Sequence, residues 1–286
     1  MDRQGFIDFN SRLSPENSGK ADSYARAIKI LDEVLPHQDE VLPHQNVINL
    51  HGQSLYAISD ISVLENVLSL VSDQVRKMRN QQQNIFDLDK KIPKSYPLKN
   101  FCSAALKSLI KYAEYEQEVL TADKIVAQET NPQKISKKLI THFDITKEGE
   151  DRASITKQRK GQDYFRRMIL ANYGSHCAIS GIDIPQLLLA SHIIPWSDKS
   201  HKKDRLNPSN GICLSALYDK AFDKGLITIS PDDFTVRLSS ALREYETQEY
   251  FNKHFGCIAG RPISMPLEYE PDKDFLAYHR DMIFKG

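Results

Sequence analysis

Residues 177–230, CAISGIDIPQLLLASHIIPWSDKSHKKDRLNPSNGICLSALYDKAFDKGLITIS, decide how the chain is read. The apolar run Leu187 to Ile194, broken only by Ser191 and His192, predicts a strand with a histidine near its end. A loop follows that carries Lys199, Lys202, Lys203 and Arg205, and then the pair Asn210-Gly211, which marks a tight turn. Ile212 to Leu214 reads as a second strand. A short helix, YDKAFD, comes next and carries Asp219 and Asp223 four residues apart, hence on one face.

Charge supports a special role for this region. The whole chain of 286 residues has no net charge. Between Asp151 and Ser230, however, twelve Lys and Arg stand against seven Asp, a local excess of five. A basic segment inside a neutral protein is the electrostatic pattern of a phosphate-binding face, although a solvated surface has the same composition. Hydrophobic residues at 40% and charged residues at 27% indicate a globular chain. No apolar run is long enough for a membrane span, and the N-terminus has no signal-peptide core, so a cytoplasmic protein without a membrane partner is expected. Cys102, Cys177, Cys213 and Cys257 form no C-x-x-C pair; reduced, mostly packed thiols are expected, without structural zinc.

Outward from the central stretch, residues 1–128 read as a helical domain for recognition or regulation, 129–159 as a polar linker with a short element marked by Leu139, Ile140, Phe143 and Ile145, and 160–286 as the domain that holds the site. Helix periodicity is clear at Ser23 to Leu35, with Asp22 or Ser23 as cap and Pro36 as stop, and again at Ile61 to Val75 behind Ser59 or Asp60. Leu98 to Val119 forms a third helix, in which Tyr112 and Tyr115 suit a core better than base stacking. The heptapeptide DEVLPHQ at Asp32 to Gln38 recurs unchanged at Asp39 to Gln45. Such a copy suits a duplication in a tolerant loop, and His37 and His44 are not read as metal ligands. Gly161 to Asn172 predicts a helix stopped by Gly174. Thr235 to Ser239 pairs with Ile227 to Ile229 as a hairpin, followed by a polar helix over Leu242 to Phe255 and a closing helix near the C-terminus.

The motifs FRRMIL, C-x-x-S-G, L-x-x-S-H-I-I-P-W, R-x-x-P-x-N-G-I-C-L-S and Y-D-K-A-F-D-K-G-L-I together resemble the HNH endonuclease family, in its restriction-type branch without zinc-binding cysteines. The resemblance runs from about Gln158 to Ser230. It implies an α+β chain: a mostly helical N-terminal domain, then a C-terminal ββα-metal nuclease domain that hydrolyses phosphodiester bonds in double-stranded DNA. A bacterial restriction or phage-defence role follows from the same resemblance, and a symmetric duplex target would call for a homodimer, an inference from symmetry alone.

The chemistry needs a base for the attacking water and a cation that takes charge from the phosphate. The resemblance assigns the base to His192 and an orienting amide to Asn210. In the commoner form of the motif an aspartate precedes the histidine and a second histidine stands on the helix; here those positions hold Ser191 and Tyr218. Mg2+ or Mn2+ on Asp219 and Asp223 is therefore expected, these being hard oxygen donors. Arg166, Arg167, Lys202, Lys203 and Arg205 are the candidate phosphate contacts. Two rival readings stand beside this one. The first is a DNA-binding protein on a degenerate scaffold without catalysis, and the second is a defence nuclease that stays silent until a signal activates it.

Overall fold

The computed structural model of the chain describes residues 1–13, 18–43, 47–88, 92–145 and 152–286. It divides into two compact units, Met1–Leu120 and Thr121–Gly286. The first is helical throughout: α1 Arg3–Arg12, α2 Lys20–Val34, α3 Ile61–Arg79, the single turn α4 Ser95–Leu98, and the first part of α5 Phe101–Ala127. Asp2 starts α1 by accepting the Gly5 N–H at 2.9 Å, and Asp60 starts α3 through Ser62. The buried stripe of α3 is Leu64, Val67, Val71 and Val75, as its spacing predicts. Tyr112 and Tyr115 pack on the rings of Phe6 and Phe9 inside the core.

Local chemistry shifts several expected boundaries. α2 is capped by Gly19 at φ +60°, not by Asp22 or Ser23, because the glycine takes the left-handed turn and Ser23 then bonds its carbonyl. Pro36 does not stop the chain's coiling. It sits in the first turn of a 3-10 segment, Leu35–Glu40, where its missing N–H costs nothing. The two DEVLPHQ copies differ in structure: the Asp32 carboxylate binds Ser54 and Leu55 beside α2, whereas Asp39 lies in the 3-10 segment. His44 and the end of the Asn80–Lys91 loop fall outside the described residues.

The second unit holds the end of α5, then α6 Pro132–His142, α7 Arg152–Asn172, β1 Leu188–His192, β2 Gly211–Ser215, α8 Ala216–Asp223, β3 Ile227–Ile229, β4 Val236–Leu238, the turn α9 Glu249–Phe251, and α10 Lys273–Met282. An α+β layout with a C-terminal ββα unit of β1, β2 and α8 is what the structure shows. β1 and β2 are antiparallel, with Ser191 opposite Ile212 and His192 opposite Gly211. β3 and β4 make the expected second hairpin.

The span 129–159, expected as a linker, carries α6 and the start of α7. α6 is capped by Asn131 and buries Ile135, Leu139 and Ile140, and Ser136 donates to the Lys203 carbonyl at 2.6 Å. Three apolar residues among polar neighbours are enough to dock one helix face, a signal the average composition hides. The expected polar helix at 242–255 is instead a 3-10 turn, the short α9 and a wide π turn, since within that span only Leu242 and Phe251 are buried. At the far end Gly225, with φ +66°, closes α8. A Cβ there would meet the Ile283 carbonyl oxygen at 2.1 Å, so the last residues of the chain lie directly against the end of that helix. Among the described residues no helix is long and apolar enough to cross a membrane.

Candidate active site

Alternation along β1 sends neighbouring side chains to opposite faces of the hairpin. His192 leaves on the side of α7, where its ring stacks on Phe165 at 3.9 Å between centroids and 15° between planes. The Trp196 ring meets it edge-on at 5.5 Å. Its cross-strand neighbour is Gly211, and the absence of a side chain there is required: a Cβ would come within 2.4 Å of Ile169 and 2.7 Å of Phe165. β2 can approach α7 closely enough to sandwich the imidazole only because residue 211 is glycine.

The protonation state of His192 follows from its surroundings. Nε2 lies 3.0 Å from the Arg205 carbonyl oxygen, which can only accept, so Nε2 carries the proton and Nδ1 keeps the lone pair. Burial pushes the pKa down to about 4, against the ordinary value of 6.5. At neutral pH the ring is uncharged and Nδ1 is a proton acceptor.

Asn210 does not touch that ring. Its Oδ1 accepts the Ile194 N–H at 2.8 Å, and its Nδ2 donates to the carbonyls of Asp204 at 3.1 Å and Ile194 at 3.4 Å. The amide thus ties both ends of the 194–204 loop together, and the residue after that loop, Arg205, supplies the carbonyl that holds His192. The Asn210 side chain, expected to orient the histidine or the metal site, bonds backbone only, at Ile194 and Asp204. Arg205 adds a second clasp: its Nε donates to the Trp196 carbonyl at 2.9 Å, and its guanidinium lies over the Trp196 ring. Tyr278 of α10 fastens the same loop through Asp198, at 2.6 Å.

On the other side of β1, Ser191 Oγ donates to Asp219 Oδ1 at 2.5 Å. The helix side chain that meets the residue before His192 is therefore Asp219 and not Tyr218. Tyr218 points elsewhere, its hydroxyl on the His254 carbonyl at 2.8 Å, and burial raises its pKa to about 12. Asp223, one turn beyond Asp219, has a raised pKa because of partial burial and the Asp219 charge beside it. Among the described residues no group of three or more His, Cys, Asp or Glu gathers as a metal cage. Two neighbouring carboxylates with a hydroxyl fit a hard dication that keeps most of its water, since Mg2+ takes one or two protein carboxylates.

Residues 177–230 match the family model described as HNH endonuclease. Over this segment the chain is similar to HNH endonucleases. The match spans β1, the basic loop, β2, α8 and β3 and supports a nuclease-type function, while Phe165, Ile169, His254 and Tyr278 come from outside it. A search of curated proteins finds no match to the chain.

Within the HNH domain and its flanks the expected phosphate contacts separate into two groups. Arg166 is turned inward to the carbonyls of Leu188 and Pro185, and Arg167 pairs with Asp123 at 2.8 Å. Both therefore brace α7 against its neighbours. Lys202 and Lys203 stay at the surface of the basic loop. Sequence reasoning misses Phe165 and Trp196 as the walls around His192. Aromatics 27 and 4 residues from the histidine carry no local spacing signal, and only the strand-to-helix packing brings them there.

Proposed function

We propose that this protein is a metal-dependent endonuclease that cuts double-stranded DNA, with His192 as general base. The observation that carries the reading is the state of the His192 ring: neutral, with Nε2–H fixed on the Arg205 carbonyl and Nδ1 left as acceptor, one residue from the Ser191–Asp219 pair. Nδ1 takes the proton of the attacking water, the new P–O bond forms, and the bond from phosphorus to the 3′ oxygen breaks, giving a 3′ hydroxyl and a 5′ phosphate. Asp219 and Asp223 would hold Mg2+ or Mn2+, with the Ser191 hydroxyl bonded to Asp219 beside them. When bound, the ion supplies Lewis-acid stabilisation of charge on the phosphate and the leaving oxygen. Asn210 keeps the loop closed so that the Arg205 carbonyl stays in place.

The restriction-type motifs support a role in bacterial restriction or phage defence, and a symmetric duplex target favours a homodimer. Supercoiled plasmid incubated with the chain in Mg2+, Mn2+ or EDTA tests the reading. Cleavage in either metal, none in EDTA, and a raised metal requirement in Asp219→Asn are expected. A wild-type chain that binds DNA but fails to cut it in either divalent ion would return the degenerate-scaffold reading.

A further inference from the structure

Between the basic loop of the HNH segment and α6, which lies outside that segment, the 3-10 turn Lys202–Asp204 and α6 enclose a groove of about 630 Å³. Lys137 stands on one wall, Lys202, Lys203 and Arg205 on the other, and Ile140 and Ile145 form the floor. The walls are fastened to each other: Ser136 Oγ donates to the Lys203 carbonyl at 2.6 Å. Ile145 is wedged against α7, where a Cβ on Gly161 would meet it at 2.5 Å. The acid in the lining, Asp204, is buried, so its charge is set back from the opening. The groove is thus a preformed cationic channel with an apolar base. Its wall residue Arg205 is the one whose carbonyl fixes His192.

We propose that this groove binds the phosphodiester backbone of duplex DNA next to the cleavage point and leads that strand toward His192. The inference rests on the nuclease reading above and adds a contact surface, α6, that the HNH segment does not contain. Charge complementarity selects the occupant. Four basic residues lining one groove match a polyanionic phosphate chain, and the apolar floor suits the sugar faces between phosphates. Lys137 and Lys203, one on each wall, carry the central prediction.

The test compares the full chain with K137Q/K203Q, with K137R/K203R, and with K107Q/K111Q, which removes the same charge from exposed positions of α5 in the first unit. Fluorescence anisotropy with a labelled DNA duplex in EDTA reads binding over a salt series, and plasmid cutting in Mg2+ reads activity. K137Q/K203Q is expected to bind on the order of tenfold more weakly per lost contact at low salt, and to lower the slope of log K against log salt by about 2. K137R/K203R and K107Q/K111Q keep the wild-type slope. An unchanged slope in K137Q/K203Q, or an equal loss in K107Q/K111Q, overturns the groove assignment while wild-type cutting leaves the nuclease reading intact. Preference for an RNA duplex over DNA overturns it too, and a wild-type chain that neither binds nor cuts DNA removes both.

Discussion

Gly211 and Asn210 stand next to His192 in space, and each does work that its size or its amide alone permits. A methyl group at residue 211 meets Ile169 and Phe165 at distances no real contact tolerates, while the backbone itself, at φ −134°, is unstrained. Gly211→Ala should therefore act purely by overpacking. It is expected to cost about 1–3 kcal/mol and to push Phe165 off the imidazole, which urea unfolding and the cleavage rate read separately. Asn210→Ala deletes an acceptor for the Ile194 N–H and a donor for two carbonyls in a fully buried place. Each group left without a partner costs about 1–3 kcal/mol. Asn210→Ala should thus be the more destabilising of the two, and an unfolding midpoint equal to the wild type would contradict the stapling role.

At the level of elements, α10 and α8 are joined through a histidine whose pH behaviour is predictable. His279 is 1% exposed, stacks on Phe222 at 3.7 Å, donates from Nε2 to the Phe222 carbonyl and accepts from Thr228 at Nδ1. Burial pushes its pKa down to about 4. The unfolded chain protonates this residue near 6.5 and the folded chain only near 4, so folding stability falls as pH drops through that window. The loss at the acid end is on the order of 3 kcal/mol, and His192 acts in the same direction. Thermal melts across the window should show a steep acid decline in the wild type and a shallower one in His279→Gln.

The same elements show what a sequence can disclose. The strand–turn–strand–helix order and the positions of His192 and Asn210 were legible because short apolar runs, Asn-Gly and an acid-rich helix are local signals. α6 was legible only as a short element, because three buried residues decide its docking while the average of the segment is polar. Nor was the choice between residues 218 and 219 on α8: a shift of one position turns a helix side chain by about 100°, and only the packed structure shows that Asp219 meets Ser191. The Leu188 and Pro185 carbonyl partners of Arg166 and the surface pairing of Arg167 with Asp123 are likewise invisible in the sequence.

Across the whole molecule, a chain with no net charge concentrates its positive excess in the HNH segment and the helix before it. Long-range attraction to a polyanion is therefore local to one unit, and DNA binding should weaken steeply with salt. The first unit, helical and lying outside the HNH match, is proposed to serve recognition or regulation. The nuclease reading converges on one ring. The most direct measurement is the single-turnover rate of plasmid cleavage in Mg2+ as a function of pH for the wild type, His192→Ala and His192→Gln, with circular dichroism confirming the fold of each. The wild-type rate should hold down through pH 6.5, since the ring stays neutral until about 4, and both variants should lose roughly 10²–10⁴-fold. Cleavage by a folded His192→Ala at the wild-type rate would remove the histidine from the mechanism.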